Sequence, residues 1–199
     1  MINLQGLSGD AVRERLDALA DLRIRVFRDF PYLYDGDIVY EREYLEKYAA
    51  SANSVFVLAL DEDQVVGAAT GLPLADADPA FQVPFRAAGI ALHEVFYFGE
   101  SVLDPAYRGQ GIGHRFFDGR EDFAATLGYP ITAFCAVVRP DDHPQRPADY
   151  RPLDAFWRAR GYAPEPGMQT EYRWRDLREK HETAKVMQFW LRHRKDFCD

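Results

Sequence analysis

The sequence predicts a mixed α/β fold, with a central β-sheet of parallel and antiparallel strands flanked by helices. Three observations carry this reading. Strand-like apolar runs at residues 54–60, 64–74, 92–103 and 131–138, the first two rich in β-branched residues, alternate with apolar stripes at helical spacing. One extended run passes directly into a glycine-rich turn and a helix, and then into another extended run, the order that joins two parallel strands by a crossover. The 199 residues, 47% of them apolar, suffice for one buried core spanning 1–199 and are too few for two.

The elements follow in order. Residues 2–6 are a candidate first strand. Asp10, followed by Val12, Leu16, Leu19, Leu22 and Val26, reads as an N-cap and a helical stripe that runs to about Phe30, where Pro31 and Asp35-Gly36 break it. A second helical pattern spans 41–50 around Tyr44, Leu45 and Tyr48. Residues 54–60 and 64–74, joined by the charged Asp61-Glu62-Asp63, read as a hairpin. The proline-studded 75–89 is a loop or short helical insertion, and 92–103 is the strand that feeds the glycine turn. A helix from Gly109 to about Leu127 buries Phe116, Phe117, Phe123, Ala124 and Leu127. Then come a strand at 131–138, a polar loop at 139–150, a helix at 152–160 ending at Gly161, and two final strands at 168–174 and 185–191. These two are antiparallel if their short connector turns like a hairpin.

Charge and composition narrow the function. A net charge of −8 argues against nucleic acid as the main partner and favours a cationic substrate. There is no basic-plus-apolar leader, and the apolar runs fall far short of the ~18 residues a membrane helix needs, so the expected location is the cytoplasm, without membrane attachment. Two cysteines, Cys135 and Cys198, are too few and too differently placed for a disulfide framework. Cys135, inside an apolar run, reads as a small buried hydrophobe.

The chemistry concentrates in Ser101-Val-Leu-Asp-Pro-Ala-Tyr-Arg-Gly-Gln-Gly-Ile-Gly113. Gly109, Gly111 and Gly113 remove side chains that would hold an anion away from the main chain, and the first amides of the following helix then face that anion. Arg108 stands at the lip, able to close on a phosphate with paired hydrogen bonds. The spacing excludes a dinucleotide fingerprint, because His114 or Phe116 falls where its third glycine belongs. A Walker loop is excluded as well, since no lysine lies between Lys47 and Lys180.

What remains is R-x-x-G-x-G, filled by Arg108, Gly111 and Gly113 and preceded by Val102 and Leu103. The string resembles the acyl-CoA-binding signature of the GNAT superfamily of N-acyltransferases, and the order of elements resembles that family's layout across nearly the whole chain. The resemblance implies that the fourth and fifth strands splay into a V-shaped slot. Acetyl-CoA or a related acyl-CoA would then act as cosubstrate, with its pantetheine arm bonded to the main chain at Val102 and Leu103. Arg108, Gly109, Gln110, Gly111, Ile112 and Gly113 would hold its pyrophosphate. The alternative for these glycines is a tight strand-to-helix turn and nothing more.

Acyl transfer to an amine needs a base for the ammonium and a donor for the oxyanion. Strand parity places Glu94, Phe96, Phe98, Glu100 and Val102 on one face, provided that no bulge intervenes. The family's base is often an acid on this strand, so the resemblance makes Glu100 and Glu94 the candidates. The oxyanion donor would be a main-chain N–H near Val102. Where the family often has a tyrosine that protonates the departing thiolate, this chain has Trp157, which carries an N–H but no useful acid. Tyr150 or Tyr162 is the substitute. The acceptor would be recognised by aromatics of the first helices and their loop, Phe30, Tyr32 and Tyr34 foremost. His143, beside Asp141 and Asp142, lacks a second histidine, so no metal site is expected.

The resulting expectation is direct attack of a primary amine, on a small molecule or a protein, upon the thioester in a ternary complex. The rival is a noncatalytic acyl-CoA sensor. A scaffold that dimerises through its last strands is a third reading, so the chain is a possible homodimer.

Overall fold

The computed structural model describes residues 1–194. Cys198 lies outside them. Among the described residues, seven strands form one sheet: β1 (Asn3–Leu7), β2 (Val55–Asp61), β3 (Gln64–Pro73), β4 (Val95–Leu103), β5 (Ile131–Val137), β6 (Ala163–Trp174) and β7 (Thr183–His193). Their spatial order is β1-β2-β3-β4-β5-β7-β6, and every neighbouring pair is antiparallel except β4 and β5. The helices are α1 (Asp10–Arg13), α2 (Leu16–Phe27), α3 (Ile38–Ala50), α4 (Pro79–Ala87), α5 (Ile112–Thr126) and α6 (Asp154–Ala159).

The sheet separates two apolar clusters. On one face Leu19, Leu22, Leu45 and Tyr48 from α2 and α3 meet Phe85, Tyr97 and Phe189. On the other, Phe116 and Phe117 of α5 meet Phe96, Phe98, Phe134 and Trp190. Each large aromatic removed from water contributes roughly 1.5–3 kcal/mol, so both faces are firmly anchored.

Several expected boundaries change. The first helix is interrupted at Glu14–Arg15, where the Arg15 N–H donates to the Val12 carbonyl in a tight turn. It ends at Phe27 rather than Phe30, since Pro31 disfavours helical backbone at the residue before it. α3 begins at Ile38 rather than Glu41, because the Asp37 carboxylate accepts from the Val39 and Tyr40 amides and caps the helix there. Residues 75–89 contain a full helix, capped by Asp78 and opened by Pro79. Leu127 is exposed rather than buried.

Two departures bear on function. β4 and β5 pair only from Val95 to Tyr97 against Ile131 to Ala133, so the two strands part beyond Tyr97 and leave a slot. Within β4 a bulge sits at Gly99–Glu100: Gly71 faces Phe98, whereas Ala69 faces Ser101, so one residue of β3 opposes two of β4. The bulge reverses the parity. Phe96 and Phe98 face α5, while Val102 joins the cluster of α2 and α3.

Candidate active site

The slot opens into a cleft of about 1600 Å³, bounded by β4, β5, the start of α5, α6 and the loops 29–32 and 139–153. Its phosphate end is made by the glycine turn. Gly109 and Gly111 have φ of +77° and +76°, conformations that L side chains rarely adopt, and nothing lies within 4 Å of the place a Cβ would take. Gly111 is the N-cap of α5, with no side chain over the helix's first amides. These features suit a diphosphate held by main-chain N–H groups. Arg108 lines the same region, half exposed and 4.0 Å from Asp29. Gly109, Gly111, Ile112, Gly113 and Leu103 border the cleft. Gln110 does not, and the Val102 side chain is buried on the opposite face of β4.

The bulge decides the fate of the two carboxylates. Glu94 lies in a 3-10 turn before β4, exposed and away from the cleft, which corrects the expectation that it shares a strand face with Glu100. Glu100 borders the cleft, and its carboxylate turns toward α2 and α3. There Oε2 lies 2.6 Å from Arg23 Nη1 and accepts from the Tyr44 hydroxyl at 3.3 Å. Arg23 also pairs with Glu41 through Nε. All three charged side chains are buried, so two carboxylates share one guanidinium, a formal net −1, in a region largely shielded from bulk water. Burial works against the charged form of Arg23, but Glu100 and Glu41 outweigh it and hold the guanidinium well above its ordinary value. Glu100 Oε1 has no hydrogen-bond partner among the described residues.

On the α5 side of the bulge stands Arg120, a residue the sequence reading overlooked. It is 1% exposed and stacks over Phe98 and Phe117 at 4.3 and 4.8 Å from the ring centres. Nη1 donates to the carbonyls of Thr70 and Glu100, and Nη2 donates to Ser101 Oγ. Desolvation pulls this guanidinium down to about 10, which leaves it charged at neutral pH. The available signal was a cation on the Ile112, Phe116, Ala124 stripe of an otherwise apolar helix face.

The far end of the cleft is aromatic. Tyr150 meets Phe30 edge-on at 4.7 Å, and Phe30 meets His143 at 5.6 Å, so the loops 29–32 and 139–153 touch across the opening. Tyr32 lines the cleft beside them; Tyr34 does not, since it pairs with Asp176 in a β-bridge and packs against Gly36. Burial raises the hydroxyls of Tyr32 and Tyr150, keeping both protonated. Arg139, missed by the sequence reading, clamps this end: it donates to the Pro31 and Tyr32 carbonyls and pairs with both oxygens of Asp176. Trp157 borders the cleft but packs on Phe134 and Trp190, each at 5.0 Å. Tyr162, the other substitute acid, is buried behind it, bonded to Thr132 and Glu121.

A sheet splayed at one parallel pair, with a glycine-capped helix at the mouth of the slot, is the architecture of an acyl-CoA N-acyltransferase. The acetyltransferase (GNAT) family model matches residues 17–148, and the chain belongs to that family. No curated protein matches significantly. Among solved structures, the ribosomal-protein-alanine N-acetyltransferase of Brucella melitensis is similar over 96% of this chain and 99% of its own, with TM-score 0.63 and 13% identity. An acyl-CoA N-acyltransferase from Pseudomonas aeruginosa is similar at 18% identity, TM-score 0.59, over 96% and 99% of the two chains. A putative acetyltransferase, yncA, from Salmonella typhimurium, solved with its cofactor acetyl-CoA, covers 100% of this chain with 96% of its own, at TM-score 0.61 and 8% identity.

Proposed function

We propose that the protein, acting as one catalytic domain, transfers an acetyl group from acetyl-CoA to a primary amine by direct attack in a ternary complex. The observation that carries this is the cleft itself, which joins a glycine turn shaped for a diphosphate to a buried carboxylate with one unengaged oxygen. The main chain from Arg108 to Gly113 holds the pyrophosphate. The edge of β4 beyond Tyr97, freed from β5, bonds the pantetheine around Val102 and Leu103.

In this reading Glu100 Oε1 receives the proton of the attacking ammonium, directly or through water. The net −1 of Arg23, Glu41 and Glu100 favours an amine that arrives protonated. A main-chain N–H near Val102 faces the oxyanion. Cys135 takes no part: its thiol is bonded to the Tyr97 hydroxyl at 3.1 Å, and burial pushes it up to about 12. Phe30, Tyr32 and Tyr150 form an aromatic wall for the acceptor, suited to a cationic amine.

The test is a panel of amines, from small molecules to peptides with free amino groups, assayed for thiol release from acetyl-CoA. At least one amine class is expected to release thiol. Binding of coenzyme with silence across the panel would reject catalysis in favour of a sensor.

A further inference from the structure

Trp157 stands where a protonating tyrosine would be, Tyr162 is bonded to Thr132 and Glu121, and Tyr150 packs on Phe30 at the acceptor end of the cleft, so the departing sulfur is met by something else. The α5 side of the bulge offers a pair without an assigned task. Arg120 donates only to uncharged oxygens and forms no ion pair among the described residues, so Glu100 and Glu121 act on its charge only across a distance. Its Nη2 donates to Ser101 Oγ at 2.8 Å. A hydroxyl that accepts from a guanidinium has its own hydrogen left to give and gives it more strongly. Ser101 is exposed, and both residues border the cleft.

We propose that the Ser101 hydroxyl, aimed and polarised by Arg120, is the hydrogen-bond donor that receives the coenzyme sulfur as it departs. This rests on the acyl-transfer reading and adds its second half. Glu100 takes one proton from the ammonium and passes it to solvent through the cleft; the amine nitrogen then bonds to the thioester carbon, and the second proton that it sheds leaves through Glu100 by the same route. The C–S bond then breaks, with its electron pair leaving on sulfur. Ser101 donates a hydrogen bond to that thiolate without losing its proton, and the thiolate takes up a proton from solvent after release. Arg120 is a positioning residue, whereas Ser101 touches the reacting sulfur. Neighbouring strand residues point to opposite faces in any case; the bulge sets which face each takes, turning Glu100 toward α2 and α3 and Ser101 toward Arg120 of α5.

The test reads the thiol of bound coenzyme A directly, by titrating its ultraviolet thiolate absorbance on the intact protein. A free thiol titrates at about 8.5, and the bound one is expected at least about one unit lower. Ser101→Ala should restore the free value while leaving coenzyme affinity within about twofold, and Ser101→Thr should keep the lowered value. With acetyl-CoA, Ser101→Ala should cost about tenfold or more in kcat. With an aromatic acetyl thioester, whose thiolate needs no help, that loss should nearly vanish. A bound thiol unshifted in the wild-type protein, or an equal loss with both thioesters, overturns the proposal alone. Failure of the wild-type protein to bind coenzyme A overturns the acyl-transfer reading and this proposal together.

Discussion

Two side chains in the cleft carry opposite expectations about reactivity. Glu100→Gln keeps the shape and loses the base, so turnover should fall by about 100-fold or more while coenzyme affinity, measured by calorimetry, stays near the original value. Loss of affinity on the same scale would mean that the Arg23–Glu41–Glu100 trio shapes the slot rather than serving the reaction. Cys135 should be inert. With its thiol at about 12, the thiolate fraction at pH 8 is roughly 10⁻⁴, so an alkylating reagent should label Cys135 only after unfolding, as peptide mapping would show. Labelling should rise as pH climbs toward that value, because the reactive form is the deprotonated one. Rapid labelling of the native protein at neutral pH would reopen a covalent acyl-cysteine route. The glycine turn was legible at this scale because positive φ and open space leave a residue-type signature, while Ser101 and Arg120 carry none apart from their neighbours.

At the scale of elements, the bulge in β4 governs which groups meet. A Cβ at Gly99 would lie 2.5 Å from the Tyr48 hydroxyl and 2.7 Å from Thr70 Oγ1, so Gly99→Ala has to push α3 away or flatten the bulge. Overpacking of this kind costs typically about 1–3 kcal/mol, read from denaturant unfolding. Because the bulge sets which face of β4 Glu100 and Ser101 each take, kcat should fall more than coenzyme affinity. An unchanged kcat in a destabilised variant would separate the bulge from catalysis. Most elements were readable from period and caps, and the helix at 79–87 could have been placed from Asp78-Pro79. The bulge was not predicted, and that omission misplaced Glu94 beside Glu100. Its one trace in the sequence is Gly99 inside a strand, a common mark of a bulge that periodicity alone does not register. The 3-10 turn at Leu92–Glu94 was lost to the same assumption of a continuous strand.

Across the whole molecule, the acceptor end of the cleft depends on residues far apart in the chain. Arg139 follows β5, Asp176 follows β6, and the carbonyls of Pro31 and Tyr32 belong to the loop after α2; no sequence period links them, so the clamp was invisible until the fold joined them. Asp176 also lies 3.4 Å from Lys185, and Trp174 donates its indole N–H to the Tyr32 carbonyl. Asp176 is thus shared by Arg139 and Lys185, and Lys185 also pairs with Glu179 at 3.2 Å. Asp176→Asn removes that charge and leaves Arg139 uncompensated, while Lys185 keeps Glu179 at 3.2 Å; breaking a buried pair costs about 3–5 kcal/mol. For a chain of this size each kcal/mol lowers Tm by about 2–4 °C, so a fall on the order of 10 °C is expected by calorimetry. The loop 29–32 is pinned by Arg139, so in the folded variant KM for the amine should rise, while the glycine turn, at the other end of the cleft, keeps its affinity for coenzyme. Replacing Arg139 by Met together with Asp176 by Leu removes charges of both signs and leaves Lys185 paired with Glu179, so it should cost less stability than Asp176→Asn alone. Equal stability of Asp176→Asn and the wild-type protein would show that the clamp contributes nothing, and the link from the last hairpin to the acceptor wall would fall with it.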